Sequence, residues 1–346
     1  MATNLARIML VAGTGMALAV SANAEINWSG YGGLSSGLGT STYSSQNCWL
    51  PSCGTYRTHD SRSLWALAGD VHVSTVFDSG LSFQFDAEGN RSFFDGLTSL
   101  YYPNIGRVTK YGMGVHIDTT GDQYRVGEFV SIGNSDWANT NNRLVSAGLE
   151  GEWLFDRTTL FSQLVYSHAV QGTFFESGLN SWYLYTGARY FLSDNLMFEA
   201  DTGAGTIESA SIRFPYVGTS DNGNILHWSA KAEYRFQGLP VSLLINYQGS
   251  YATWKSYNAY WEGIPCGHGA LAYERISATT RRTGNLFMLS LHYYLGQDSL
   301  LANDRNGAGM NDYNPWYGAE PITEAFMGNP NYGTLIFGAP LSSEQC

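Results

Sequence analysis

The chain has no apolar run long enough to cross a bilayer as a helix. The longest, Ile8 to Val20, is about 13 residues, against the ~20 that a membrane-spanning helix needs. No other stretch comes close, which excludes a helical membrane protein. Cations are also scarce. Lys and Arg number 18 against 29 Asp and Glu, for a formal net charge of −11, and so acidic a chain makes a poor nucleic-acid partner. Metal and nucleotide motifs are missing: there is no His-x-His, no Cys-x-x-Cys and no Gly-rich phosphate loop closing on Gly-Lys-Ser/Thr. The Asp/Asn-rich segment 303–314 lacks the EF-hand spacing and its closing Glu. No cofactor and no metal site is implied. Cysteines are few, at four. Cys48 and Cys53 lie close together in a polar segment and can close a small disulfide loop after export. Whether Cys266 and Cys346 pair is left open.

The N-terminus is an export signal. Arg7 supplies the positive region, Ile8 to Val20 the apolar region, and Ala22-Asn23-Ala24 a small-x-small cleavage end. The signal is therefore residues 1–24, and Glu25 begins a mature chain large enough for one β domain.

Alternation dominates the remainder. In 225–236, Leu226, Trp228, Ala230, Ala232, Tyr234 and Phe236 share one parity. His227, Ser229, Lys231, Glu233 and Arg235 share the other. Successive strand side chains point to opposite faces, so one face is apolar and the other charged. Twelve such runs occur, near 25–36, 64–77, 81–90, 107–118, 123–133, 143–155, 158–169, 180–192, 196–205, 225–236, 240–253 and 283–295. Ten or fourteen strands are the alternatives, because 25–36 and 107–118 are Gly-rich and weakly patterned. Short turns such as Asp78-Ser79-Gly80 alternate with long polar connections at 38–62, 91–106, 134–141, 170–179, 206–223 and 255–281.

The apolar parity carries aromatics towards both ends of the runs. Trp65, Phe77, Trp153, Phe155, Trp182, Tyr190, Phe198, Trp228 and Phe236 are read as an outward girdle. Trp228 to Phe236 is eight residues. At ~3.3 Å per residue and a tilt near ~40° this covers roughly 20 Å, close to the ~25 Å apolar band of an outer-membrane barrel. The opposite parity is read as lumen-lining: Asp70, His72, Asp86, Glu88, Lys110, His116, Asp118, Arg125, Glu150, Glu152, Arg189, Glu199, Asp201, His227, Lys231, Glu233, Arg235 and His292, with Gln84, Asn246 and Gln248. Nine of these are acidic, five basic and four His. So many charges must be hydrated or paired, and twelve strands enclose more space than side chains alone fill.

With these features the chain resembles Gram-negative outer-membrane β-barrel proteins of the porin-like type. The resemblance covers residues 1 to about 296. It implies an antiparallel up-and-down barrel over 25–296, with short periplasmic turns and long extracellular loops. Residues 297–346 would then be a periplasmic tail or a plug folding into the lumen. The implied partners are outer-membrane lipid, lipopolysaccharide and the barrel-assembly machinery, and homo-oligomerisation is left open.

The expected role is passive passage of small hydrophilic solutes, mildly favouring cations through the carboxylate excess. Lys231, Arg235, Arg189 and Arg125 either form a separate basic ladder facing the acidic residues across the lumen or join interstrand salt-bridge ladders that rigidify a narrow lumen. Two alternatives stand beside this: a non-conducting structural or adhesin-like barrel, and an outer-membrane lipid hydrolase. The hydrolase needs Ser and His on one face two residues apart. Ser290-x-His292, His72-x-Ser74 and His227-x-Ser229 have that spacing, without the Ser-Asn-Gly extension of outer-membrane phospholipases. No catalytic residue is therefore assigned.

Overall fold

A computed structural model describes residues 27–49, 54–94, 107–137, 140–171, 179–209, 212–214, 217–266 and 270–310. Residues 1–24, expected to be a signal segment, lie outside the described residues with Cys53 and Cys346, as do the side chains of Cys48 and Cys266.

Twelve long strands form one antiparallel sheet that closes on itself. They are β1 (Asn27–Trp49), β2 (Gly54–Val76), β3 (Leu81–Phe94), β4 (Arg107–Thr120), β5 (Tyr124–Trp137), β6 (Thr140–Leu154), β7 (Thr158–Gln171), β8 (Leu179–Ser193), β9 (Leu196–Ser209), β11 (Val217–Arg235), β12 (Val241–Cys266) and β13 (Ala270–Leu295). A three-residue strand, β10 (Ile212–Phe214), pairs only with the start of β11. Each long strand pairs with its sequence neighbours, β9 with β11, and β13 returns to β1. No sheet edge is left among the long strands, which is what lipid requires of a β structure. No described helix is long and apolar enough to cross a membrane.

The alternation sorts the faces. Outward Leu149, Leu160, Leu164, Leu184, Leu289 and Leu291 are exposed, whereas inward Glu150, Gln163, His292 and Arg189 are buried. A soluble protein would invert this. The outward aromatics make two belts. Towards the long-connection end, Trp65 stacks on Phe93 at 4.9 Å and Trp182 packs on Tyr166 at 5.0 Å. At the short-turn end Tyr124 faces Trp153, and Tyr190 faces Phe198, across paired strands. Trp228 is outward but only half-exposed, because it lies over Gly249, where a Cβ would stand 2.1 Å from its ring.

The strands run further than their apolar pattern. β1 and β2 are 23 residues each and β12 and β13 are 26, against 14 or 15 for β3 to β9. Much of the connections expected at 38–62 and 255–281 is therefore strand. Beyond the bilayer both faces meet water, so the ladder continues without the apolar alternation that marks it inside lipid. The barrel is consequently taller on the β12–β13–β1–β2 side.

After β13 the chain turns inward. Gly296 has φ of +83°, a left-handed conformation that glycine adopts without steric cost. A Cβ there would also stand 2.3 Å from the Trp28 carbonyl oxygen. A short helix, α1 (Leu300–Asn306), follows, with the Ser299 hydroxyl capping it by accepting from the Ala302 amide at 3.0 Å. Leu300, Asn303, Asp304, Ala308 and Met310 are all buried against the lumen wall.

Candidate functional site

Inward residues at the short-turn end form two charged arcs that meet near Glu150 and Glu152. The first is cationic. Arg125 on β5 bonds Glu152 on β6 at 3.0 Å. Arg189 on β8 bonds Glu152 at 3.3 Å and Glu199 on β9 at 2.8 Å. Lys231 on β11 bonds Glu199 at 2.6 Å. Of the two arrangements open to Lys231, Arg235, Arg189 and Arg125, the separate basic ladder is not formed and interstrand ion pairs are. Arg125, Arg189 and Lys231 interleave with carboxylates on adjacent strands, since a desolvated cation is tolerated only beside an anion. Arg235 instead lies over the Tyr294 ring at 5.1 Å.

The second arc alternates imidazoles with carboxylates. Glu233 meets His292 Nδ1 at 3.2 Å, and His292 Nε2 lies 3.9 Å from Asp70. Asp70 meets His72 Nε2 at 3.2 Å, and His72 Nδ1 meets Asp86 at 2.9 Å. Asp86 meets His116 Nε2 at 2.6 Å, and His116 Nδ1 meets Glu150 at 2.8 Å. Glu233 also accepts from Ser242 and, at 2.7 Å, from the Tyr294 hydroxyl. Asp118, 1% exposed, lies beside Glu150.

All eighteen residues read as lumen-lining lie on inward-facing positions. Asp70, Glu88 and Lys231 are partly exposed to the lumen space and the others are buried. The three serine–histidine spacings bond to other strands. Ser290 accepts from Ser35 at 2.6 Å, Ser74 meets Ser29 at 3.0 Å, and Ser229 donates to Asp201.

Two groups of residues were not picked out from the alternation. One is an inward apolar wall of Phe129, Phe161, Val165, Tyr183 and Tyr185 on β5, β7 and β8. Its rings lie over inward glycines: a Cβ at Gly148 would stand 2.5 Å from Phe129, and one at Gly203 would stand 2.1 Å from the Tyr183 hydroxyl. Paired inward glycine and aromatic positions on neighbouring strands were the available signal. The other group is residues 297–310, which close the floor. Asp304 accepts from Arg189 at 2.6 Å and from Thr159 at 2.6 Å. Arg189 donates to the Gly309 carbonyl at 2.6 Å, and Arg125 to the Asp304 and Arg305 carbonyls at 3.3 and 3.2 Å. Gln84 on β3 clasps Met310 twice, accepting from its amide at 3.1 Å and donating to its carbonyl at 3.0 Å. Arg305 reaches back to the 155–158 turn, donating to the Phe155 carbonyl at 2.5 Å. Leu300 adds an apolar contact with Phe191, Met197 and Tyr294.

Above this floor lies a cavity of about 300 Å³. Its walls mix charged groups (Asp70, Glu88, Lys110, Lys231, Arg282) with amides and hydroxyls (Asn90, Asn246, Gln248, Ser35, Ser290) and Tyr31 and Tyr185. The cavity is of the size that holds a small ligand. It is a cup closed towards the short turns.

A closed antiparallel barrel with an apolar exterior, two aromatic belts and a charged interior defines a transmembrane β-barrel of the outer-membrane type. No family model and no curated sequence matches the chain. Solved structures similar to it are outer-membrane barrels. The outer membrane protease OmpT from Escherichia coli is 8% identical at a TM-score of 0.36, over 80% of this chain and 99% of that one. The COG4313 outer membrane channel from Pseudomonas putida F1 is 11% identical at a TM-score of 0.41, over 76% and 96%. The NanC porin is 10% identical at a TM-score of 0.34, over 73% and 100%.

Proposed function

We propose that the protein is an outer-membrane channel of a Gram-negative bacterium, passing small hydrophilic solutes and mildly favouring cations. The observation that carries this is the polar cup of about 300 Å³ whose floor is not barrel wall but residues 300–310. Side-chain hydrogen bonds, the Arg189–Asp304 ion pair, one backbone bond from the Leu301 amide to the Asp194 carbonyl and an apolar contact hold that floor, and none of them belongs to the strand ladders, so it can leave without breaking the barrel. Passage requires its displacement. The carboxylate excess of the lumen supports the cation preference.

The test is single-channel conductance in a planar bilayer, on the chain from Glu25 onwards and on a version ending at Gly296. Folding of each is checked by gel mobility with and without boiling. Steps confined to, or much more frequent in, the shortened chain support a channel closed by its own C-terminal segment. Silence in both folded forms rejects the channel. That result would favour a non-conducting structural barrel, a reading supported by the paired charges filling the base of the lumen.

A further inference from the structure

His72 and His116 each present both ring nitrogens to carboxylates. His72 lies between Asp70 at 3.2 Å and Asp86 at 2.9 Å, and His116 lies between Asp86 at 2.6 Å and Glu150 at 2.8 Å. A neutral imidazole has one N–H and one lone pair, so it can satisfy only one of its two carboxylates. The other contact would set a lone pair against an anion. The geometry fits the imidazolium form of both rings, in which each N–H finds an oxygen.

Asp86 sits between the two rings and also accepts from Gln84 Nε2 at 2.9 and 3.2 Å. Gln84 in turn clasps both backbone groups of Met310. One amide side chain thus ties the imidazole–carboxylate chain to the floor of the cup. The chain borders the cavity at Asp70, Glu233 and His292 and is packed by other residues elsewhere. Tyr31 of β1 lies 4.4 Å from the His72 ring, and Phe129 of β5 stacks on His116 at 5.4 Å. Gln163 of β7 donates to Glu150 at 2.8 Å. Asp118 of β4 faces Glu150, with Arg125 of β5 nearby, and His292 of β13 faces Asp70.

We propose that His72, His116, Asp86 and Gln84 form a proton-operated latch on residues 297–310, which adds to the hold on the floor while both imidazoles are protonated and weakens that hold when they are not. Loss of the ring protons takes a donor from Asp86 and leaves its charge uncompensated. The Gln84 amide then turns both N–H groups towards Asp86, and Met310 loses its carbonyl donor. The inference rests on the channel reading for its meaning, but its test does not.

Arg305 is the only Lys or Arg after Arg282, so tryptic cleavage there removes residues 306–346 once the floor is released. The full mature chain, folded in detergent micelles, is digested at about pH 7 and about pH 9, with a free peptide substrate normalising the enzyme. Wild type should be cut on the order of fivefold faster at the higher pH, the loss of a hydrogen bond in this clasp. His116→Gln and Gln84→Ala should be cut at about pH 7 as fast as wild type at about pH 9, with no further pH dependence and unchanged heat-modifiable mobility. A pH-independent wild type, or a pH dependence that survives in His116→Gln, overturns the latch. PH-dependent cutting beside bilayer silence upholds the latch and rejects the channel.

Discussion

Arg189 shows what one residue does in this lumen. Its guanidinium reaches Glu152, Glu199 and Asp304, stacks 5.1 Å over Phe161, and donates to the Gly309 carbonyl. Removing it takes one cation from each of Glu152, Glu199 and Asp304, which keep Arg125, Lys231 and Arg305 respectively. Arg189→Met should cost about 3–5 kcal/mol of barrel stability, in the range of a broken buried pair, read by urea unfolding from lipid vesicles. Glycines give a contrasting pair. A Cβ at inward Gly203 meets the Tyr183 hydroxyl at 2.1 Å, whereas at outward Gly151 the nearest atom is Val126 Cγ1 at 3.7 Å. Gly203→Val should destabilise by about 2 kcal/mol through overpacking, while Gly151→Ala should be nearly neutral in the same titration. At this scale the alternation of buried and exposed side chains along each strand was legible from parity. Partners were not. Nothing local places Glu152 against Arg125 and Arg189, because strand register and the skipped β7 position, Thr159, decide it.

At the scale of elements, β7 is representative. Leu160 and Leu164 face lipid and Gln163 faces Glu150. Leu164→Arg puts a charge in the apolar band and should cost about 2–4 kcal/mol. The same measurement on Leu239→Arg, in the turn before β12, should show little change. The twelve strands were legible because lipid outside and charge inside force alternation. Their extension beyond the membrane was not, because a hairpin with water on both faces carries no parity signal. Segment 297–310 is the element whose place the pattern left open. Its helix has seven residues, its apolar positions are few, and its docking depends on Gln84, Arg125, Thr159 and Arg189, more than a hundred residues away in sequence.

Among the described residues, the twelve long strands form a sheet without edges around a cavity floored by residues 300–310. Closure by β13 on β1 makes unfolding all-or-none, so the unboiled protein should migrate differently from the boiled one on a gel. Identical mobility would mean the barrel does not close. The interior carries an apolar patch from β5, β7 and β8 beside charged groups that come from β2 to β6, β8, β9, β11 and β13.

Alternation along each strand is a local property, set by the two-residue period of the extended chain. It therefore determined the barrel, its inward and outward faces and the aromatic belts before any contact was known. Which charges neutralise one another, which rings cover which glycines, and that the chain after Gly296 turns back to floor the lumen are relations between residues far apart in sequence. Only closure of the sheet, which places every strand in register with two others and confines the charges in a narrow lumen, could decide them.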